Sequence, residues 1–116
     1  MAGTQQRGKD AENQASRYLQ RHGMTLLSRN HRCRGGEIDL VMRDRDTLVF
    51  VEVRLRSHRA FGGALASVDR RKQQRLIIAA QHYLQQQPWS GPCRFDVVGI
   101  DAGGRCDWIR DAFPGG

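Results

Sequence analysis

Lysine is nearly missing from this 116-residue chain: Lys9 and Lys72 are the only two, although Lys and Arg together number 19. Cationic charge is therefore carried by arginine, whose planar fork matches phosphate geometry. Cysteine is sparse too. Cys33, Cys93 and Cys106 are odd in number, widely spaced and form no CxxC pair, which excludes a disulfide framework and suits a reducing cytoplasm. His31 and Cys33 are close enough to suggest zinc, but a four-ligand set needs more partners at suitable spacing. No apolar run approaches the roughly 20 residues of a membrane-spanning helix. Met1–Lys9 has no apolar stretch of the kind a signal peptide carries, and reads as a polar tail. Aromatic residues make up only 7% of the chain, so Trp89, Trp108 and Tyr83 are read as core packing before base stacking. His22, His31, His58 and His82 show neither metal nor triad spacing. Repeats, linkers and low-complexity segments are absent.

What is present is a strong positive balance. Twelve acids against 19 cations leave a net charge of +7, and an arginine-rich surface of that sign favours a polyanion such as nucleic acid. The length fits one domain over residues 1–116 with a single modest core. Residues 1–8 and 112–116 are expected to be loose tails.

Apolar positions Ala11, Ala15, Tyr18 and Leu19 recur at helical spacing and predict a first helix from about Arg7 to Arg21, stopped by Gly23. A short strand follows at Met24–Ser28, then a polar stretch ending in the Gly35-Gly36 turn. Two longer strands are expected at about Glu37–Met42 and Leu48–Leu55, joined by a hairpin tip within residues 43–47. Ser57–Ala66 has no periodicity and reads as a loop. Ser67 is the expected N-cap of a second helix reaching about Gln87, with the stripe Leu76, Ile77, Ala80, Tyr83 and Leu84. Further strands are expected at Arg94–Ile100 and around Cys106–Ile109. The order predicts an α/β sandwich around a mixed sheet of about five strands, with the Glu52 and Arg94 strands parallel across the helical crossover.

The chemistry lies in the central strands. Val49, Val51, Val53 and Leu55 point one way, and Glu52, Arg54 and Arg56 the other. Taking a carboxylate out of water is costly unless it is paired or holds a metal. Asp39 shares a face with Glu52 if the hairpin tip has two or four residues, and the opposite face if it has three. Together Asp39 and Glu52 suit a divalent metal, with Glu12 on the first helix as a third carboxylate. Magnesium prefers oxygen ligands and keeps several waters, so a few acids on one face are enough. Asp96 is expected to satisfy an arginine or a turn. Arg70, Arg71, Lys72 and Arg75 crowd the start of the second helix, where cations oppose the helix dipole and a bound phosphate would relieve the conflict.

The runs GEIDLV, FVEVRLR, SVDRRKQQRL with AAQHYL, and RFDVV, in that order, resemble the uncharacterised YraN-like family over about Gly8–Ile100. That family is similar in turn to the PD-(D/E)XK nucleases with their restriction-endonuclease-like fold. The resemblance implies a Mg²⁺ (or Mn²⁺) site formed by Glu12, Asp39 and Glu52, a catalytic basic residue at Arg54, and nucleic acid as partner. The superfamily usually has lysine where this chain has Arg54. Arginine stabilises phosphate charge well but cannot readily serve as a base, its pKa exceeding about 12. Lys72 is the substitute if it reaches the same pocket, and Gln73 a residue to orient water there.

The resulting expectation is a cytoplasmic, metal-dependent nuclease acting on DNA rather than RNA, on branched or otherwise structured substrates. It assigns Asp39, Glu52, Arg54, Lys72 and Gln73 to the catalytic site and Arg56, Arg70, Arg71, Lys72 and Arg75 to a nucleic-acid-binding rim. No membrane association is expected, and the fold type allows a homodimer. Two rivals stand beside it: a nuclease fold that kept nucleic-acid binding and lost catalysis, and a scaffold whose basic face meets an acidic partner.

Overall fold

The computed structural model describes residues 4–56, 65 and 67–115. Its elements are α1 (Thr4–Arg21), β1 (Thr25–Cys33), β2 (Gly36–Asp44), β3 (Thr47–Arg56), α2 (Arg70–Gln86), β4 (Cys93–Asp101) and β5 (Cys106–Phe113). The five strands lie in the order β1-β2-β3-β4-β5. All neighbours are antiparallel except β3 and β4, the pair joined through α2. A parallel pair needs such a crossover, so the observed topology is the expected α/β arrangement. The loop expected over Ser57–Ala66 falls mostly outside the described residues.

Both faces of the sheet are covered. Ala11, Ala15 and Leu19 of α1 pack with Leu40, Met42, Val49, Val51, Val98 and Ile100. On the other face Leu76, Ile77, Ala80 and Tyr83 of α2 pack with Ile38, Val41, Leu48, Phe50, Phe95 and Val97. The face of β3 that carries Glu52 is therefore apolar at Leu48 and Phe50 and polar only beyond them. The simple division into one aliphatic and one charged face holds only for the second half of that strand.

Helix ends follow local chemistry. Gly23 adopts φ +92°, its N–H bonds Gln20 O, and the Met24 N–H bonds Leu19 O. This is a Schellman closure, sealed by Met24 and Leu19 sharing one core cluster. At the start of α2 the cap is Asp69, not Ser67: the Asp69 side chain accepts from the Lys72 N–H at 2.8 Å. A carboxylate two residues closer to the helix satisfies the free amides and supplies the negative charge that the cation-rich first turn lacks.

Three boundaries differ from expectation. β1 continues through the polar residues to Cys33, because an edge strand has a solvated side and needs no apolar alternation there. It carries an irregularity between Leu26 and Ser28 and a positive φ at Asn30. β5 extends to Phe113, which is buried and stacks on Phe95 with ring centroids 4.9 Å apart. At the other end α1 already begins at Thr4. The segments read as tails thus partly belong to the framework.

Gly36 sets the distance between α2 and the sheet. A Cβ there would lie 2.1 Å from the Arg75 carbonyl oxygen and 3.1 Å from the Ala79 nitrogen, so only glycine allows this approach.

Candidate active site

The β2–β3 hairpin closes on Asp44 and Thr47 with a two-residue tip, one of the lengths that brings Asp39 and Glu52 together. The ladder runs to the Leu40–Val51 pair. Beyond it the Val53 N–H donates to Asp39 Oδ2 at 2.8 Å. Ile38 packs under α2 whereas Leu40 packs under α1, so strict alternation of side chains breaks at Asp39. The aspartate sits at the fork where the two strands part.

Burial first, and then the Glu52 charge, push the Asp39 carboxyl from its ordinary 3.8 up to about 8. The Val53 amide and the Lys72 ammonium pull the other way, and the Asp39 carboxyl lies within hydrogen-bonding reach of Glu52. Glu52 is only 2% exposed. Its Oε2 receives Arg54 Nη1 at 3.3 Å and Lys72 Nζ at 3.4 Å. Its Oε1 is buried with no hydrogen-bond partner among the described residues. A buried, unpartnered carboxylate oxygen beside a second carboxylate is costly as it stands. Either a proton shared with Asp39 or a cation between the two would satisfy it.

Glu12 stands at the margin. Its carboxyl is raised by burial and then by Asp39, and is drawn the other way by Asn30, Arg29 and Arg32 of β1. Among the described residues no three of His, Cys, Asp and Glu converge as a metal-binding group. The expected third carboxylate therefore does not complete a triad; β1 engages it instead.

The cationic side is better assembled. Arg54 also donates from Nε to Ser67 Oγ at 3.1 Å. Arg54, Ser67, Asp69, Arg71, Lys72 and Arg75 line a shallow open cleft of about 190 Å³. Lys72 thus lines the same pocket as Arg54. Arg70 is exposed and is not among the lining residues, and the Arg56 side chain lies outside what the structure describes. The Gln73 amide donates to Val68 O at 3.1 Å, which ties it to the turn before α2.

Sequence reasoning missed two contributors. Ser67 was legible only as a hydroxyl near a helix start, and its role is to hold Arg54. The Val53 amide had no signal at all, because a backbone group becomes a ligand only where strands diverge. The remaining expectations fall away from the site. Asp96 is 1% exposed and accepts from Arg94 Nε at 3.0 Å, Trp108 Nε1 at 2.9 Å and the Asp111 N–H at 2.9 Å. It anchors β5. Tyr83 packs in the core, Trp89 bonds Pro92 O, and Trp108 lies under the Arg110 guanidinium. The three cysteines are free. No helix among the described residues is long and apolar enough to cross a membrane.

The chain is similar to a protein of Pseudomonas fluorescens, 57% identical with 95% of this chain and 94% of that one covered. It is 58% identical to one of Cupriavidus pinatubonensis, covering 95% and 87%. Against one of Nitrosomonas eutropha the identity is 50% over the full length of both. All three are named as UPF0102 proteins. The model of that family matches residues 11–100, which span α1 from Ala11, both central acids, α2 and most of β4. This chain belongs to the uncharacterised protein family UPF0102.

Proposed function

We propose that this protein is a divalent-metal-dependent nuclease of PD-(D/E)XK type that acts on DNA in the cytoplasm. The observation that carries the reading is the orphaned Glu52 Oε1 facing a site it shares with Asp39, beside a cleft walled by arginine and lysine. The donor set fits Mg²⁺ or Mn²⁺: two carboxylates are enough for a hard cation that keeps most of its waters. A metal held by Asp39 and Glu52 supplies charge neutralisation at the scissile phosphate and an acidified water.

The chain's own residues do the rest. Asp39 is fixed by the Val53 amide, and Glu52 keeps Oε1 unpartnered among the described residues while Arg54 and Lys72 hold Oε2. Arg54, held through Nε by Ser67, keeps its fork directed at the carboxylate edge of the cleft and stabilises charge developing on phosphate. Lys72 adds a movable ammonium from α2. Arg71 and Arg75 seat the flanking phosphates, which positions a backbone without reading its sequence.

Arginine at position 54 favours one alternative, a nuclease fold that binds nucleic acid without cutting it. The two separate in one assay. Supercoiled plasmid with Mg²⁺ or Mn²⁺ should be nicked, and Asp39→Ala and Glu52→Ala should each lower the rate at least about a hundredfold. Intact plasmid together with a gel shift of duplex or branched DNA in EDTA would leave the binding module.

A further inference from the structure

Glu52 is two-sided. Oε2 carries both nearby cations while Oε1 is buried and unpartnered among the described residues. The cations are not held equally. Arg54 comes from the same strand and is fixed a second time through Ser67 Oγ at 3.1 Å. Lys72 reaches in from the separate element α2. Glu52 is its one ion-pair partner among the described residues. A lysine ammonium is a compact charge on a flexible stem, able to swing where a doubly anchored guanidinium is not. Arg71, Arg75 and Ser67 line the same cleft as Lys72, and that is where a phosphate would meet it.

We infer that Lys72 is an internal competitor for the divalent cation, neutralising the Asp39–Glu52 pair in the metal-free protein and passing to a substrate phosphate in the loaded one. The inference rests on the metal-dependent reading above. Its physical basis is like-charge repulsion at short range across a half-buried site. Arg54, Lys72 and a divalent ion would crowd one carboxylate pair, and the least anchored cation leaves at the lowest cost. Phosphate in the cleft gives the ammonium a new partner, so metal and nucleic acid each favour the other by the same factor.

The test measures binding, without turnover. Mn²⁺ is titrated calorimetrically into wild type, Lys72→Met and Lys72→Gln, with thermal melts to establish that each variant is folded. Both variants should bind Mn²⁺ roughly tenfold more tightly than wild type. In parallel, Ca²⁺ should tighten binding of a short DNA duplex to wild type relative to EDTA, and this gain should shrink severalfold in both variants. Equal or weaker Mn²⁺ binding in the folded variants overturns the competitor role, as does an undiminished Ca²⁺ effect. If wild type takes up no Mn²⁺ at all, the metal-dependent reading fails as well. If wild type binds Mn²⁺ and nicks plasmid while the variants bind no more tightly, only the role of Lys72 fails.

Discussion

Asp39 is held against its own charge. Burial and the Glu52 carboxylate push its carboxyl from 3.8 to about 8, so between those values the folded chain keeps a proton that the unfolded chain has released. The sign follows from linkage: with more protons bound in the folded state, stability falls as pH rises from 3.8 to about 8 and is flat above. Asp39→Asn keeps an oxygen for the Val53 amide and removes the charge. In EDTA the variant should melt several degrees higher than wild type near pH 8, and most of the wild-type decline between about pH 5 and pH 8 should vanish. Thermal unfolding followed by circular dichroism across that range is the check; a wild-type Tm that rises with pH there would contradict the placement of Asp39. Stability given up at a site that a cation would restore is a usual mark of function. At this scale the identity of the two acids was legible, because carboxylates inside strand patterns break a local rule. Ser67 was legible only in part, since its hydroxyl suits a cap and a side-chain acceptor equally.

At the scale of elements, α2 does two jobs: it covers one sheet face and delivers Lys72 to Glu52. Both depend on Gly36, where a Cβ would stand 2.1 Å from the Arg75 carbonyl oxygen. Backbone cannot yield as a flexible side chain does, so Gly36→Ala must displace the helix. We expect a loss of about 1–3 kcal/mol or more in urea unfolding. A Gly36→Ala variant as stable as wild type would show that the helix floats. Helix positions were legible from apolar spacing, since Leu76, Ile77, Ala80 and Tyr83 all lie buried on one side. The cap was misplaced because Ser67 and Asp69 both satisfy cap chemistry, and only the path of the chain into the helix chooses between them. Strands β1 and β5 were read short for one reason. Both are edges, and the solvated side of an edge erases the alternation by which strands are recognised.

At the scale of the whole molecule, four cations, Arg54, Arg71, Lys72 and Arg75, gather at one cleft. Nineteen cations against twelve acids give a general attraction to polyanions, and Arg71 and Arg75 focus it beside the acidic pair. Duplex binding should therefore weaken steeply with salt. Arg71→Ala and Arg75→Ala should each lower affinity uniformly across sequences and reduce the slope of log K against log salt by about 1. Fluorescence anisotropy at several salt concentrations measures this, and unchanged slopes would overturn the proposal that this cleft seats phosphates. Composition, periodicity and the alternation along β3 were enough to determine an α/β domain with buried acids among arginines, since each depends on residue type and spacing along the chain. Whether those acids meet depended on the two-residue tip at Arg45-Asp46, the fork beyond Leu40 and the close approach of α2 at Gly36. These are relations between segments distant in sequence, settled by packing, and only the tertiary structure could decide them.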